Sequence, residues 1–154
     1  MYSIRTMTAV LAFMSGIVIP AGMAGARNCP PTPWDEIGPF YRPNAPVRST
    51  IGTGYVLSGT VRSTTECAPI PLARIEVWQT GPTGEYDAAR RATIYSDWKG
   101  SYRLETSFPA PYAGRPPHIH ILVDAKGFTG LITQHYPKQG TKGVTFDLVM
   151  NPER

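Results

Sequence analysis

Tyr55-Val56-Leu57-Ser58-Gly59-Thr60-Val61-Arg62 sets Val56, Ser58 and Thr60 against Leu57, Gly59 and Val61. That two-residue alternation fits a strand, whose successive side chains point to opposite faces. Working outward, residues 73–79 repeat the pattern, with Ile75 and Val77 alternating against Glu76 and Trp78. Gly81-Pro82-Thr83-Gly84 follows as a turn. Residues 92–96 form another short strand, and Asp97-Trp98-Lys99-Gly100 reads as a hairpin connection into a strand over 101–106. Residues 118–123 are β-branched and apolar and lead to a Lys126-Gly127 turn, while 130–136 and 143–149 each read as one further strand. No segment carries a helical stripe longer than two turns. Closely spaced short strands in a chain with 15 glycines and 16 prolines predict an all-β fold, a β-sandwich of mixed or antiparallel strands. Residues 27–46 are proline-rich and lack periodicity, which predicts an extended N-terminal arm lying on the body.

The 154 residues suit one domain rather than two. Residues 1–26 read as a secretory signal peptide. Arg5 is the only charge before Arg27, Met7 to Ile19 is apolar, Pro20 and Gly22 break the run, and Ala24-Gly25-Ala26 supplies a cleavage site. The run is too short and wrongly flanked for a membrane span. The expectation is an exported protein, periplasmic or secreted, with one domain over 27–154 and no span in the mature chain. Cys29 and Cys67 are the only cysteines. In an oxidising compartment they are expected to pair and pin the arm to the body, with two unpaired buried thiols as the alternative. The net charge of +4 comes from scattered basic residues, which gives no footprint for nucleic acid. A mild positive field of this kind suits an anionic aromatic substrate.

The residues best placed for chemistry lie in Arg115-Pro116-Pro117-His118-Ile119-His120. On a strand, His118 and His120 share a face while Ile119 points into packing. They are two of only three histidines, and imidazole is the commonest metal ligand; two hydrogen-bonded structural histidines are the alternative. No H-E-x-x-H or zinc-type cysteine pair accompanies them. Tyrosines do: Tyr112 in the proline- and glycine-bounded loop before His118, and Tyr86 just past the strand and turn at 73–84. A phenol has a pKa of about 10 and ligates well only where a strongly charged cation strips its proton. Iron(III) is such a cation. Two phenolates and a hydroxide balance its charge, and two neutral imidazoles complete five coordination.

Trp78-Gln79, Tyr86, Pro111-Tyr112, Arg115-Pro116, His118-Ile119-His120 and Thr133-Gln134-His135-Tyr136 together resemble the intradiol ring-cleavage dioxygenases. Gly38-Pro39-Phe40-Tyr41 on the arm is similar to that family's arm motif, and the resemblance runs from about Thr32 to Tyr136. It implies a β-sandwich core and non-haem Fe(III) held by Tyr86, Tyr112, His118 and His120. Tyr112 matches the tyrosine that leaves the metal when substrate binds, and Tyr86 the one that stays. The resemblance also implies a catalytic role for Arg115 beside the reacting carbon, a polar supporting role for Gln134, and pocket-lining, substrate-binding roles for Tyr41 and Tyr136. The implied partners are a catechol-type substrate and O2, giving a cis,cis-muconate-type product. One departure stands out: many family members carry Gln-Thr ahead of Gly-Pro-[Phe/Tyr]-Tyr, whereas here Asp35-Glu36-Ile37 precede Gly38. Two other readings are a non-catalytic, prealbumin-like binding module and a zinc or copper site joining His118 and His120 to His135.

Overall fold

The structure, a computed structural model, describes residues 28–154. The expected signal peptide therefore lies outside the described residues. Eight strands form: β1 (Tyr55–Ser63), β2 (Arg74–Gln79), β3 (Arg91–Tyr95), β4 (Ser101–Thr106), β5 (Ile119–Asp124), β6 (Leu131–His135), β7 (Gly143–Thr145) and β8 (Leu148–Met150). They make two packed sheets. The first is mixed: β4 lies antiparallel to β1, whose other edge pairs in parallel with β7 and then β8. The second is antiparallel in the order β3-β2-β5-β6. Between them, the inward positions of the alternating strands fill the core: Leu57 and Val61, Ile75 and Val77, Leu104, then Ile119, Ile121 and Val123. The all-β sandwich expected from the alternation is the observed fold.

Two local readings need correction. Residues 143–149 do not form one strand. The ladder breaks at Phe146-Asp147, where the Phe146 N–H donates to the Ser58 carbonyl and the Asp147 carboxylate accepts the Thr60 N–H at 2.9 Å. Gly59 permits this crossing, since a Cβ there would lie 2.2 Å from the Phe146 carbonyl oxygen. Asp97–Gly100 does form a tight turn, with the Asp97 carboxylate accepting the Lys99 and Ser101 N–H groups. It is not a hairpin, however, because β3 and β4 belong to different sheets. Buried Ser96 ends β3 by donating its hydroxyl to the Ile70 carbonyl and accepting the Ala73 N–H, and the chain then crosses to the other sheet.

The proline-rich arm has no ladder of its own, so its backbone polar groups bond to the sandwich. The Thr32 N–H reaches the Val149 carbonyl of β8, and the Asp35 N–H reaches the Ile132 carbonyl of β6. The arm then crosses the outer face of the second sheet as a strap. It leaves over the opposite edges, where Val47 bridges Thr93 of β3 and Thr50 bridges Glu105 of β4. In this way one segment covers edges of both sheets that would otherwise offer unpaired donors and acceptors. A disulfide joins Cys29 to Cys67, 38 residues apart, and ties the start of the arm to the loop after β1.

A cross-link closing a loop of that length stabilises chiefly by restricting the unfolded chain. The Cys29→Ser/Cys67→Ser variant should therefore lose about 2–4 kcal/mol of unfolding free energy, read as a lower urea midpoint. A loss below about 0.5 kcal/mol would mean that the arm's hydrogen bonds hold it unaided.

Candidate active site

The outer face of the second sheet should be polar and wet, yet it is buried. Register places Arg91 of β3, Trp78 of β2, His120 of β5 and Gln134 of β6 in one row across four strands. The strap covers that row together with the loops that carry Tyr86 and Arg115, and it meets each member in turn. The Glu36 carbonyl accepts from Gln134 Nε2 at 2.6 Å, Gly38 lies on the His120 ring, Tyr41 packs on Trp78, and the Phe40 carbonyl accepts from Arg91 Nη1 at 2.6 Å. Gly38 has φ +71°, and a Cβ there would stand 3.0 Å from His120 Cε1. Glycine is thus required both for the turn and for the close approach.

Beneath the strap lies a cavity of about 220 Å³ lined by Glu36, Gly38, Pro39 and Phe40 on one side and by Tyr86, Tyr112, Ala113, Arg115, His118 and His120 on the other. The Tyr86 hydroxyl is 2.9 Å from His118 Nε2 and 3.2 Å from His120 Nε2. His118 Nδ1 lies 2.7 Å from the Pro116 carbonyl. A carbonyl can only accept, so Nδ1 carries the proton and Nε2 presents its lone pair to the cavity. Trp78 stacks flat on His120, centroids 4.9 Å apart, and fixes that ring. Phe40 stacks on Tyr86 at 4.4 Å and meets Tyr112 edge-on at 5.1 Å.

Tyr112 and Arg115 are delivered by one tight turn, in which each backbone N–H bonds the other's carbonyl. Ala113 and Gly114 between them both have positive φ, the backbone of a type I′ turn. Arg115 Nη2 donates to Gln134 Oε1 at 2.8 Å and to the Tyr136 hydroxyl at 2.9 Å. The Tyr136 hydroxyl in turn donates to Asp35 Oδ2 on the strap, also at 2.9 Å.

Electrostatics favour neutral imidazoles. Burial pushes His120 down to about 4, helped by repulsion from His118 and Arg115, and burial likewise lowers His118. Burial pushes the Tyr86 phenol up to about 12, with a further contribution from Tyr112. The Tyr86 hydroxyl, with its single proton, thus lies within 3.2 Å of both imidazole Nε2 atoms. His120 Nδ1 is buried without a hydrogen bond of normal geometry. Among the described residues, no group of three or more His, Cys, Asp or Glu side chains is disposed to hold a metal. A metal here must therefore draw on tyrosine. The donor set of two Nε2 atoms and phenol oxygens fits a hard, highly charged cation able to replace the contested proton.

The structure brings together Tyr86, Tyr112, Arg115, His118 and His120, and Gln134 supports Arg115 from the next strand. Tyr41 requires correction as a pocket-lining residue. Its ring rests on Trp78 and its hydroxyl donates to Glu76 Oε2 at 2.7 Å, away from the cavity. Burial would raise the Glu76 carboxyl, but hydrogen bonds from Arg74 and Tyr41 hold it below its usual range. Tyr41 therefore fastens the strap. Tyr136 stands behind Arg115 and 6.1 Å from the His118 ring, and it is not among the lining residues. Its neighbour in the sequence motif, His135, alternates to the other face of β6 and bonds the Tyr55 hydroxyl at 2.7 Å. It cannot complete a site with His118 and His120, which removes the zinc or copper arrangement. Phe40, Pro39 and Glu36 line the cavity although residue type did not single them out. Within Gly38-Pro39-Phe40-Tyr41, alternation along an extended strap was the available clue, since adjacent aromatics must point apart.

Fold and site together define a β-sandwich protein with a histidine–tyrosine donor pocket under an N-terminal strap. No family model matches the chain. A chlorocatechol 1,2-dioxygenase of Pseudomonas sp. strain P51 is 31% identical over 154 aligned positions, covering 73% of this chain and 61% of that protein. An intradiol ring-cleavage dioxygenase of Aspergillus niger is 27% identical, covering 66% and 44%. The dioxygenase domain of a dioxygenase–carbohydrate-binding fusion from Streptomyces sp. SirexAA-E superposes with a TM-score of 0.73 at 28% identity, covering 80% of this chain and all of that domain. In sequence and in fold the chain is similar to intradiol ring-cleavage dioxygenases. It spans about 61% and 44% of the length of the two curated relatives named here.

His118 and His120 are buried and His135 is half-buried, and desolvation lowers all three towards the neutral form. The unfolded chain binds their protons near pH 6.5 and the folded chain resists. Metal-free protein should keep this stability above pH 6.5 and lose it as pH falls towards about 4, the value for His120. Urea midpoints measured across that window check the sign; a flat profile would show that the rings charge in place.

Proposed function

We propose that this protein is an exported non-haem iron(III) dioxygenase that opens a catechol-type ring between its two hydroxylated carbons, placing both atoms of O2 in a cis,cis-muconate-type product. The observation that carries this reading is the convergence of the Tyr86 oxygen with His118 Nε2 and His120 Nε2 beside Tyr112 and Arg115. Tyr86, Tyr112, His118 and His120 would hold the metal. When bound, iron(III) supplies Lewis acidity that keeps both phenols ionised and withdraws electron density from a chelated catechol.

The rest of the chemistry belongs to the chain. Tyr112 sits on the exposed type I′ turn rather than on a strand, which suits a phenolate that gives way and takes a proton from the incoming catechol. Tyr86 is held between Phe40 and the two imidazoles and stays. Pro39 and Phe40 wall the cavity, orient a planar ring and exclude water from that side. Arg115 is held in place by Gln134 and Tyr136 before substrate arrives, so its charge is preorganised for the ring carbon as it becomes electron-rich.

Export is supported by the apolar, cleavable character of residues 1–26 and by the Cys29–Cys67 disulfide, which suits an oxidising compartment. Residues 27–154 are then the mature domain. Among the described residues, no helix is long and apolar enough to cross a membrane.

The visible spectrum of the purified protein tests this reading. A broad phenolate-to-iron(III) band that shifts when catechol is added without oxygen is expected; a protein that stays colourless after reconstitution with iron would refute the proposal. Tyr86→Phe and His120→Ala should each lose iron or turnover, and parental rates in either would overturn the ligand assignment. Arg115→Ala should keep its iron and lose about 2–4 kcal/mol of barrier lowering, roughly 30- to 1,000-fold in rate. Unchanged turnover would make the arginine structural.

A further inference from the structure

Burying a charge costs free energy unless it is paired. Arg91 is buried at one end of the row on the outer face of the second sheet, yet it forms no ion pair among the described residues. Its Nε has no hydrogen-bond partner. Burial and the Arg42 charge hold the guanidinium below its usual range, against the pull of Asp87 and Tyr86. Among the described residues, the one hydrogen bond of its side chain runs from Nη1 to the Phe40 carbonyl at 2.6 Å. Packing alone would be served at lower cost by an apolar side chain. What the charge adds is a strong hold on that carbonyl.

The carbonyl belongs to the peptide plane between Phe40 and Tyr41, two adjacent aromatics that face different ways. Phe40 lines the cavity, its ring stacked 4.4 Å from Tyr86 and 12° from parallel. Tyr41 rests on Trp78, the neighbour of Arg91 in the row. On the other side of Gly38, the strap is held at the Glu36 carbonyl by Gln134. Held there alone, it could still turn about its own axis at the glycine. Tyr41 reaches Glu76 only through its long side chain, whereas Arg91 holds the peptide plane itself. We infer that Arg91 is a positioning residue of the cavity: by holding the Phe40 carbonyl it fixes the rotation of the strap and keeps the Phe40 ring on the wall that a catechol meets. The catechol part of this inference rests on the ring-cleaving reading above; the part about Phe40 does not. Arg48, further along the strap, donates to the Arg91 carbonyl through Nε at 2.9 Å, so the backbone of β3 stays clamped when the Arg91 side chain is changed.

Two measurements test this. In metal-free protein the Phe40 ring should shift the Tyr86 ring protons upfield in NMR spectra, and Phe40→Ala defines complete loss of that shift. Arg91→Met should lose at least half of it. In iron-loaded protein without oxygen, the Kd for catechol is read from the shift of the visible band. Arg91→Met should weaken catechol about 10-fold, the size of one charge-assisted hydrogen bond. In a Phe40→Ala background, where no ring is left to position, the same substitution should cost less than about 2-fold. Arg91→Gln, polar but too short to reach the carbonyl, carries the same comparisons if Arg91→Met does not fold. Parental ring shifts or a parental Kd in the folded variant, or an equal loss of affinity with and without the Phe40 ring, would overturn the inference. If catechol does not shift the band of the parent protein, the catechol reading fails, and the ring shifts alone decide what Arg91 holds.

Discussion

A β-sheet has two faces, and a sandwich gives only one of them a core. Here the second sheet places Trp78, His120 and Gln134 on the face that a two-layer fold leaves to water, and all three are buried. Burying such a row requires a cover that is thin enough to leave a cavity and polar enough to satisfy what it covers. The strap is both. Its backbone carbonyls accept from Gln134 and Arg91, its glycine lies against His120, and its aromatics face alternately inward to Tyr86 and sideways to Trp78. The site exists because an extended segment crosses the strands along the row it covers.

The same constraint explains what could be read from the sequence. Strand alternation and the His118/His120 pair depend on local periodicity, and local periodicity survived folding; the faces assigned to Ile119 and the histidines are the observed ones. Tyr86 and Tyr112 come from loops and are brought together only by tertiary structure; their place in the segments flanking the strand elements picked them out, and the family resemblance added which of the two leaves and which stays. The failures were of a different kind. Tyr41 and Phe40 are chemically alike neighbours, and which of them faces the cavity depends on the strap's rotation about its own axis. Residues 143–149 look continuous because the break is made by the Asp147 side chain standing in for a backbone partner of Thr60. The Asp97–Gly100 turn has hairpin chemistry, but turn chemistry does not say in which sheet the next strand lies.

Charge balance links the pocket to the rest of the sandwich. Burial, with neighbouring charges in a lesser part, drives the imidazoles to neutrality and the Tyr86 phenol to its protonated form. The first suits a ligand and the second opposes one. A fold that buries phenols beside neutral histidines is therefore poised for an occupant that supplies positive charge, and the Tyr86 oxygen lying within reach of two Nε2 atoms is the local sign of it. Arg115 supplies some positive charge, but its hydrogen bonds aim it at Gln134 and Tyr136 and not at the phenols.

Stability and chemistry thus share one segment. The disulfide at Cys29 fixes where the arm starts, the bonds to Val149 and Ile132 carry it along the open side of the sandwich, and Tyr41 on Glu76 clamps it beyond the cavity. Between those anchors lie the residues that differ from the family's usual strap. Asp35 bonds Ile132 through its N–H and holds the Tyr136 hydroxyl through its carboxylate, and Glu36 meets Gln134 through its backbone carbonyl. A strap held at both ends can vary between them without disturbing the strands that carry the histidines.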